Sequence, residues 1–303
     1  MFKKILRNDF CFSGVGTHSG LLANVVVKPA PIGVGVSFIR TDLDNSVISA
    51  SYENVVNTTA STVIANDSGA IVKTIEHLMS ALTAFGIFDA YVYIDSDEMP
   101  ILDGSSVEFV KMIQKAGVID SDVVQECCYI KEDVEVVDNN GRSLKLSPSL
   151  EFSVDINLKS GPVDQSAKLK ISRRNYLSKI SKARTFGFFK DREKLQSLGL
   201  IKGVSFDNSL ILNDDGDPMN DGGFRFKNEP AYHKILDLIG DFGLIGMPIV
   251  CKVTGNPSHT LNNNILKKFL TFEKKYAIVK NNADTSVRVK FPNSPVAARV
   301  QYL

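Results

Sequence analysis

Tryptophan is absent from these 303 residues, and histidine occurs only four times, at His18, His77, His233 and His259. Any site built on imidazole must draw on that small set. Cysteine is also sparse. Cys11, Cys127, Cys128 and Cys251 form no C-x-x-C, and the two adjacent cysteines are poorly placed to bridge each other. This argues against a disulfide scaffold or a zinc ribbon and for a reducing compartment. Charge of one sign is lacking as well: 35 Lys and Arg against 34 Asp and Glu leave a net +1, so no polyanion partner is implied. With no basic stripe, nucleic-acid binding has no support. No apolar run approaches the length of a membrane span. Phe10–Gly16, after Lys3 and Lys4, is too short and glycine-rich for a signal-peptide core. The expectation is a soluble cytoplasmic protein with no integral membrane segment.

The segment Gly14-Val15-Gly16-Thr17-His18-Ser19-Gly20 lacks both the Gly-Lys-Ser/Thr of a Walker loop and the G-x-G-x-x-G of a dinucleotide fingerprint. It reads as a tight turn feeding a strand over Asn24–Lys28, and His18 keeps a catalytic or a structural reading. What is present is ordinary globular composition, 44% hydrophobic, at a length suited to two domains.

Tyr232–Asp241 reads as a helix, with Ile235, Leu236, Leu238 and Ile239 as its apolar stripe and Pro230 suited to a first helical position. His233, Asp237 and Asp241 then recur at i, i+4 and i+8 and share one face. An imidazole and a carboxylate one turn apart can grip a cation, and the second carboxylate can hold a neighbour; a solvated helix face is the plainer alternative. A second helix is expected over Thr74–Gly86, with Glu76 and His77 side by side at its start and a strand, Ala90–Asp95, after it. Asp103-Gly104-Ser105-Ser106 precedes a helix over Val107–Lys115 and reads as its N-cap.

Phe38 to about Gly69 is polar and reads as an inserted hairpin region. Cys127–Val137 and Leu144–Leu158 alternate like strands about the Asn139-Asn140-Gly141 turn. Thr185 offers a hydroxyl in a short strand-to-turn segment. After a helix over Asp191–Ser197, Leu198, Leu200, Ile201 and Val204 either line a lipid slot or close a small core. His259, in a loop of small polar residues, suits a proton donor if Asp241 or another carboxylate keeps it charged.

Helix–glycine–strand occurs twice, as Thr74–Asp95 and His233–Val253, each with a histidine at the helix start. The expectation is an α+β fold of two similar domains, each a two-layer sheet/helix sandwich, packed with helices facing and the active site between them. The domains would be 1–124, with an inserted β region at about 40–70, and 125–303, with an inserted β-α-β region at about 188–212.

With these residues in view, the chain resembles the zinc-dependent UDP-3-O-acyl-N-acetylglucosamine deacetylases of lipid A biosynthesis. The matching segments are GVGTHSG (14–20), RTDL (40–43), TIEHLMSAL (74–82), PILDGSS (100–106), ISKARTFGF (180–188), GLIKGVSFDN (199–208), HKILDLIGD (233–241) and SHTLNN (258–263). The resemblance implies one Zn2+ on His77, His233 and Asp237, with Glu76 as general base. It implies Thr185 as a donor to the oxyanion and His259 as the acid, oriented by Asp241. Lys234 would meet the sugar-nucleotide, with Asp191 as a charge partner, Phe186 would pack on the sugar, and Asp191–Ile211 would form the acyl passage with Leu198, Leu200, Ile201 and Val204. The implied partner is an acylated UDP-sugar, and the implied state a monomer. Three positions depart from the family's pattern: Asn256 replaces a basic residue, Asn157–Pro162 replaces an aromatic-plus-His-Pro stretch, and Val204 replaces a glycine. Two other readings stand beside this one, a zinc deacetylase for a different acylated amino sugar and a non-catalytic lipid- or nucleotide-binding module.

Overall fold

The computed structural model describes residues 2–273 and 275–280; the end of the expected second domain, 281–303, lies outside the described residues. The first half begins with β1 (Phe2–Leu6), β2 (Phe10–Val15), β3 (Leu22–Pro29), β4 (Val36–Arg40) and β5 (Ser46–Ser49). Three short strands, β6 (Val55–Asn57), β7 (Val63–Ala65) and β8 (Ile71–Val72), make a separate small sheet. Helix α1 (Glu76–Ala84), β9 (Ala90–Ile94), α2 (Val107–Ala116) and β10 (Val118–Val124) complete this half, and β10 pairs back onto β1.

The second half runs β11 (Glu126–Ile130), β12 (Val134–Val137), β13 (Ser143–Ser147), β14 (Ser153–Ser160), β15 (Val163–Lys170) and α3 (Arg173–Ser178). Then come β16 (Phe186–Phe188), α4 (Arg192–Ser197), β17 (Leu210–Leu212), α5 (Glu229–Phe242), β18 (Ile249–Val250), β19 (Lys252–Gly255), α6 (His259–Lys267) and β20 (Tyr276–Lys280). We propose the division between the halves at Val124–Glu126, where β10 has turned back to β1 and β11 starts to pair with β18 and β20.

The two main sheets have the same topology. Their strand orders are β2-β3-β9-β4-β5 and β12-β13-β19-β14-β15. In each, one strand (β9 after α1, β19 after α5 and β18) inserts between the second and third, antiparallel to one and parallel to the other. Alternation makes each sheet two-faced: Ala23, Val25 and Val27 turn inward from β3, and Val154, Ile156 and Leu158 from β14. Onto these faces pack the helices, and α1 lies against α5 across the two halves. Their approach is close because Gly243, just beyond α5, has no side chain; a Cβ there would come within 2.3 Å of Thr83 Oγ1. Both helices are buried nearly all round, which fits elements sandwiched between layers.

Several elements differ from expectation. The polar region expected as an insertion contributes β5 to the main sheet, and the small sheet starts only at Val55. Cys127–Val137 is two strands, because the charged Lys131-Glu132-Asp133 would be costly in a buried ladder. Leu144–Leu158 likewise breaks around Pro148, which has no N–H to donate. Ile249–Val253 changes sheets at Cys251, with β18 joining β11 and β19 the main sheet. Ser106 does not cap α2 with its side chain, since its hydroxyl donates to the His77 carbonyl at 2.8 Å; Ser105 Oγ instead accepts the Val107 N–H.

Candidate metal centre and active site

Helix α5 carries His233, Asp237 and Asp241 along one face, and the first turn of α1 brings Glu76 and His77 to meet it. His77, His233 and Asp237 are buried, and each offers a ligand atom within 4.8 Å of the other two. His233 Nε2 lies 3.2 Å from Asp237 Oδ1, and His77 Nε2 lies 3.8 Å from the same oxygen. His233 Nδ1 sits 3.0 Å from the Ala183 carbonyl. Only Nδ1–H can make that bond, so Nε2 keeps its lone pair for the centre.

Burial lowers the pKa of His233 against the pull of Asp237, and burial together with His233 brings His77 down to about 3. Both rings are therefore neutral at pH 7. Burial pushes the Asp237 carboxyl up, but the positive charges of His233, when protonated, and of Lys234 outweigh it and hold the group well below the usual carboxylate range. Asp237 Oδ2 accepts from Lys234 Nζ at 2.9 Å, while Oδ1 is buried with no donor. A lone pair of neutral His233 thus faces an ionised oxygen with no proton between them. That arrangement is costly unless a cation sits there, so the residues fit a metal.

A second cluster adjoins this one. His259 Nε2 is 3.8 Å from Glu76 Oε1 and 3.7 Å from Asp237 Oδ2, and its Nδ1 is 3.2 Å from Asp241 Oδ2. Asp241 is held in turn by Thr62 Oγ1 at 2.5 Å and Asn262 Nδ2 at 2.8 Å. Glu76 Oε2 accepts the Thr62 N–H at 3.1 Å, which leaves Oε1 toward the site. Burial pushes Glu76 up to about 7, with His259 opposing and Asp237 and Asp241 adding to the shift. Burial would lower His259, but Asp241, Glu76 and Asp237 outweigh it and raise its pKa to about 9. One group is thus a carboxyl titrating near neutrality and the other a charged imidazole, which is the pairing acid–base work needs.

Glu76, His77, Thr185 and Phe186 open on a cavity of about 340 Å³, walled further on by Phe188, Ile201, Val204, Phe206 and Ile211. The parallel pair β16 and β17, with α4 between them in sequence, carries much of that wall. Lys234 Nζ lies 5.6 Å over the Phe186 ring, and that ring stands edge-on to His233.

Other expected residues fall elsewhere. Leu198 is 65% exposed, and neither it nor Leu200 nor Asp191 lines the cavity. Asp191 precedes α4, and Lys234 pairs with Asp237, one turn away on its own helix and within easier reach. Asn256 donates its backbone N–H to the Ser143 carbonyl, and its Oδ1 is buried without a donor. His18 lines the cavity, and burial, its largest influence, lowers its pKa. The carbonyls of Thr17 and His18 accept the N–H groups of Gly203 and Lys202 at 3.0 and 3.2 Å, so the glycine-rich turn docks the inserted segment. Glu98, which the sequence did not single out, fixes that turn by accepting the His18 and Ser19 N–H groups. Thr62 also carried no sequence signal, standing in a polar stretch rich in Thr and Ser. Asn262 lies inside the SHTLNN segment, three residues after His259, and helical spacing there would have pointed to it.

A family model described as UDP-3-O-acyl N-acetylglycosamine deacetylase matches residues 3–271. A protein of Myxococcus xanthus (strain DK1622) named UDP-3-O-acyl-N-acetylglucosamine deacetylase is 40% identical over 282 residues, which is 91% of this chain and 89% of that one. Proteins of the same name from Campylobacter fetus subsp. fetus (strain 82-40) and Hahella chejuensis (strain KCTC 2396) are each 38% identical. The first match covers 88% of this chain and 90% of the relative, the second 91% and 93%.

Proposed function

Because the chain belongs to the UDP-3-O-acyl N-acetylglycosamine deacetylase family, we propose that its buried centre is a zinc site that removes the N-acetyl group of UDP-3-O-[(3R)-3-hydroxyacyl]-N-acetylglucosamine. The protein is a deacetylase of lipid A biosynthesis, and we read it as a monomer working in the cytoplasm. Among the described residues no helix is long and apolar enough to cross a membrane. The observation that carries the reading is that the cavity lined by Glu76, His77 and Thr185 continues along apolar walls suited to an acyl chain.

His77, His233 and Asp237 would hold the zinc. Tetrahedral N/O ligands about 2.0–2.2 Å from zinc lie roughly 3.3–3.6 Å from one another, and the nitrogen–oxygen distances of 3.2 and 3.8 Å bracket that span. When bound, zinc polarises the acetamide carbonyl and lowers the pKa of a water beside it. Glu76 takes the proton of that water on Oε1, the oxygen not engaged by Thr62. Thr185 donates its hydroxyl to the oxygen that becomes negative as the carbonyl is attacked. His259 gives its Nε2 proton to the departing amine and, while charged, also stabilises that oxygen. Asp241, held by Thr62 and Asn262, keeps the ring turned so that Nδ1 faces away from the substrate. Phe186 packs on the sugar, Lys234 meets a polar group of the sugar-nucleotide, and Ile201 and Val204 bound the acyl chain.

The test is acetate release from the acylated UDP-sugar by the zinc-loaded protein. Turnover lost on chelation and restored by zinc supports the reading. No acetate from a folded, zinc-loaded protein overturns it.

A further inference from the structure

Arg184 and Glu229 form a buried bidentate ion pair that the chemistry above does not use. Arg184 Nε donates to Glu229 Oε1 at 2.8 Å and Nη2 to Oε2 at 3.0 Å, and Glu229 is fully buried. Oε1 also accepts the backbone N–H of Arg184, Oε2 that of Arg225, and Nη2 reaches the Gly223 carbonyl. Taking two charges out of water is expensive and is seldom a gain over apolar packing, so what the pair holds in place is the question it raises.

Both residues stand at informative positions. Glu229 is the first residue of α5, and His233 lies one turn further on. Arg184 stands between Ala183, whose carbonyl accepts from His233 Nδ1, and Thr185, whose backbone N–H donates to Gly104. One fork of hydrogen bonds therefore fixes the segment 183–185 against the first turn of the helix that carries His233. A lysine would supply the charge but not the two parallel bonds.

We propose that Arg184 and Glu229 are positioning residues that together hold the Ala183 carbonyl on His233 Nδ1 and set the placement of Thr185. This rests on the metal-centre reading above. In Glu229→Gln the new amide would turn an N–H toward the donors of Arg184 or Arg225, and the fork would open.

The experiment uses the full chain of the wild type, Glu229→Gln and Arg184→Lys. In zinc-loaded protein, 1H–15N correlations report the Nδ1–H of His233, and in the wild type the Ala183 carbonyl should protect that proton from exchange with solvent. Both variants should lose that protection about 10-fold, bind zinc about 10-fold more weakly by chelator competition, and lose kcat about 10-fold with KM within twofold. A fall in thermal stability with that protection, zinc affinity and kcat unchanged overturns the proposal, because a merely structural pair would do that. If Glu229→Gln does not fold, Arg184→Lys carries the same readouts. If neither folds, the pair is a folding element and the proposal falls. A wild type whose His233 proton is protected and whose variants lose that protection, but which releases no acetate, sinks the deacetylase reading and leaves the clamp standing.

Discussion

Gly240 on α5 rests against the backbone of Glu76: a Cβ at Gly240 would lie 2.1 Å from the Glu76 carbonyl oxygen and 2.8 Å from its carbon. Both atoms are backbone at the start of α1 and have little room to give. This contact falls between Asp237 and Asp241 on α5 and next to His77 on α1, so the crossing of the helices and the assembly of the site are one event. Gly240→Ala should destabilise the protein by about 1–3 kcal/mol and weaken metal binding with it. Thermal unfolding with and without zinc checks this, and an unchanged midpoint with full zinc content would show that the crossing has slack.

Metal content tests the ligand set directly. His233→Ala removes an imidazole whose Nε2 faces Asp237 Oδ1 and leaves only His77 and Asp237 of the three grouped ligand residues. Purified wild type should carry about one zinc per chain, as a single three-residue site with one open position implies, and the variant should carry almost none. Zinc retained at full occupancy by folded His233→Ala would remove this histidine from the centre.

Spacing along one helix was more legible in the sequence than pairing across the chain. The i, i+4, i+8 spacing of His233, Asp237 and Asp241 follows from helix geometry alone, and α5 presents them as that spacing requires. The repeated helix–glycine–strand pattern stood for more than it displayed, since the sheet order it belongs to depends on pairings between strands distant in sequence. Thr62 shows why part of the site stayed hidden. Its backbone N–H reaches Glu76 and its hydroxyl Asp241, 14 and 179 residues away, and nothing local distinguishes it from the threonines around it. Arg184 and Glu229 were invisible for the same reason, being 45 residues apart.

With Glu76 as the proposed base and His259 as the proposed acid, the pH dependence follows. Glu76 acts as a base only when ionised, so the rate should climb as pH rises through its pKa, about 7 without metal. His259 acts as an acid only when protonated, so the rate should fall as pH rises through about 9. A bound dication stabilises the ionised carboxylate and disfavours the imidazolium, moving both limbs toward lower pH. Glu76→Gln should abolish the rising limb and lower kcat about 10²–10⁴-fold. A full rising limb in that variant would assign the base elsewhere.

Asp241 is the strongest of the charges that raise His259. Asp241→Asn keeps the shape and removes the charge, so the falling limb should move to lower pH by about one unit, with the rising limb nearly unmoved. The shift is read from kcat/KM against pH in both proteins. A falling limb that stays where it was would mean that His259 is not the group behind it.

Val204 lines the cavity beside Ile201 and Phe206, and its branched side chain narrows the space proposed for an acyl chain. Removing it should matter only to chains that reach it. Val204→Gly should raise kcat/KM for longer acyl chains relative to shorter ones by about 10-fold, the scale of one or two buried methyl groups, and leave the shortest substrates nearly unchanged. Measuring kcat/KM across a series of acyl lengths separates the outcomes. An equal change at every length would be the signature of a backbone loosened by the added glycine, and would place the end of the acyl site away from Val204.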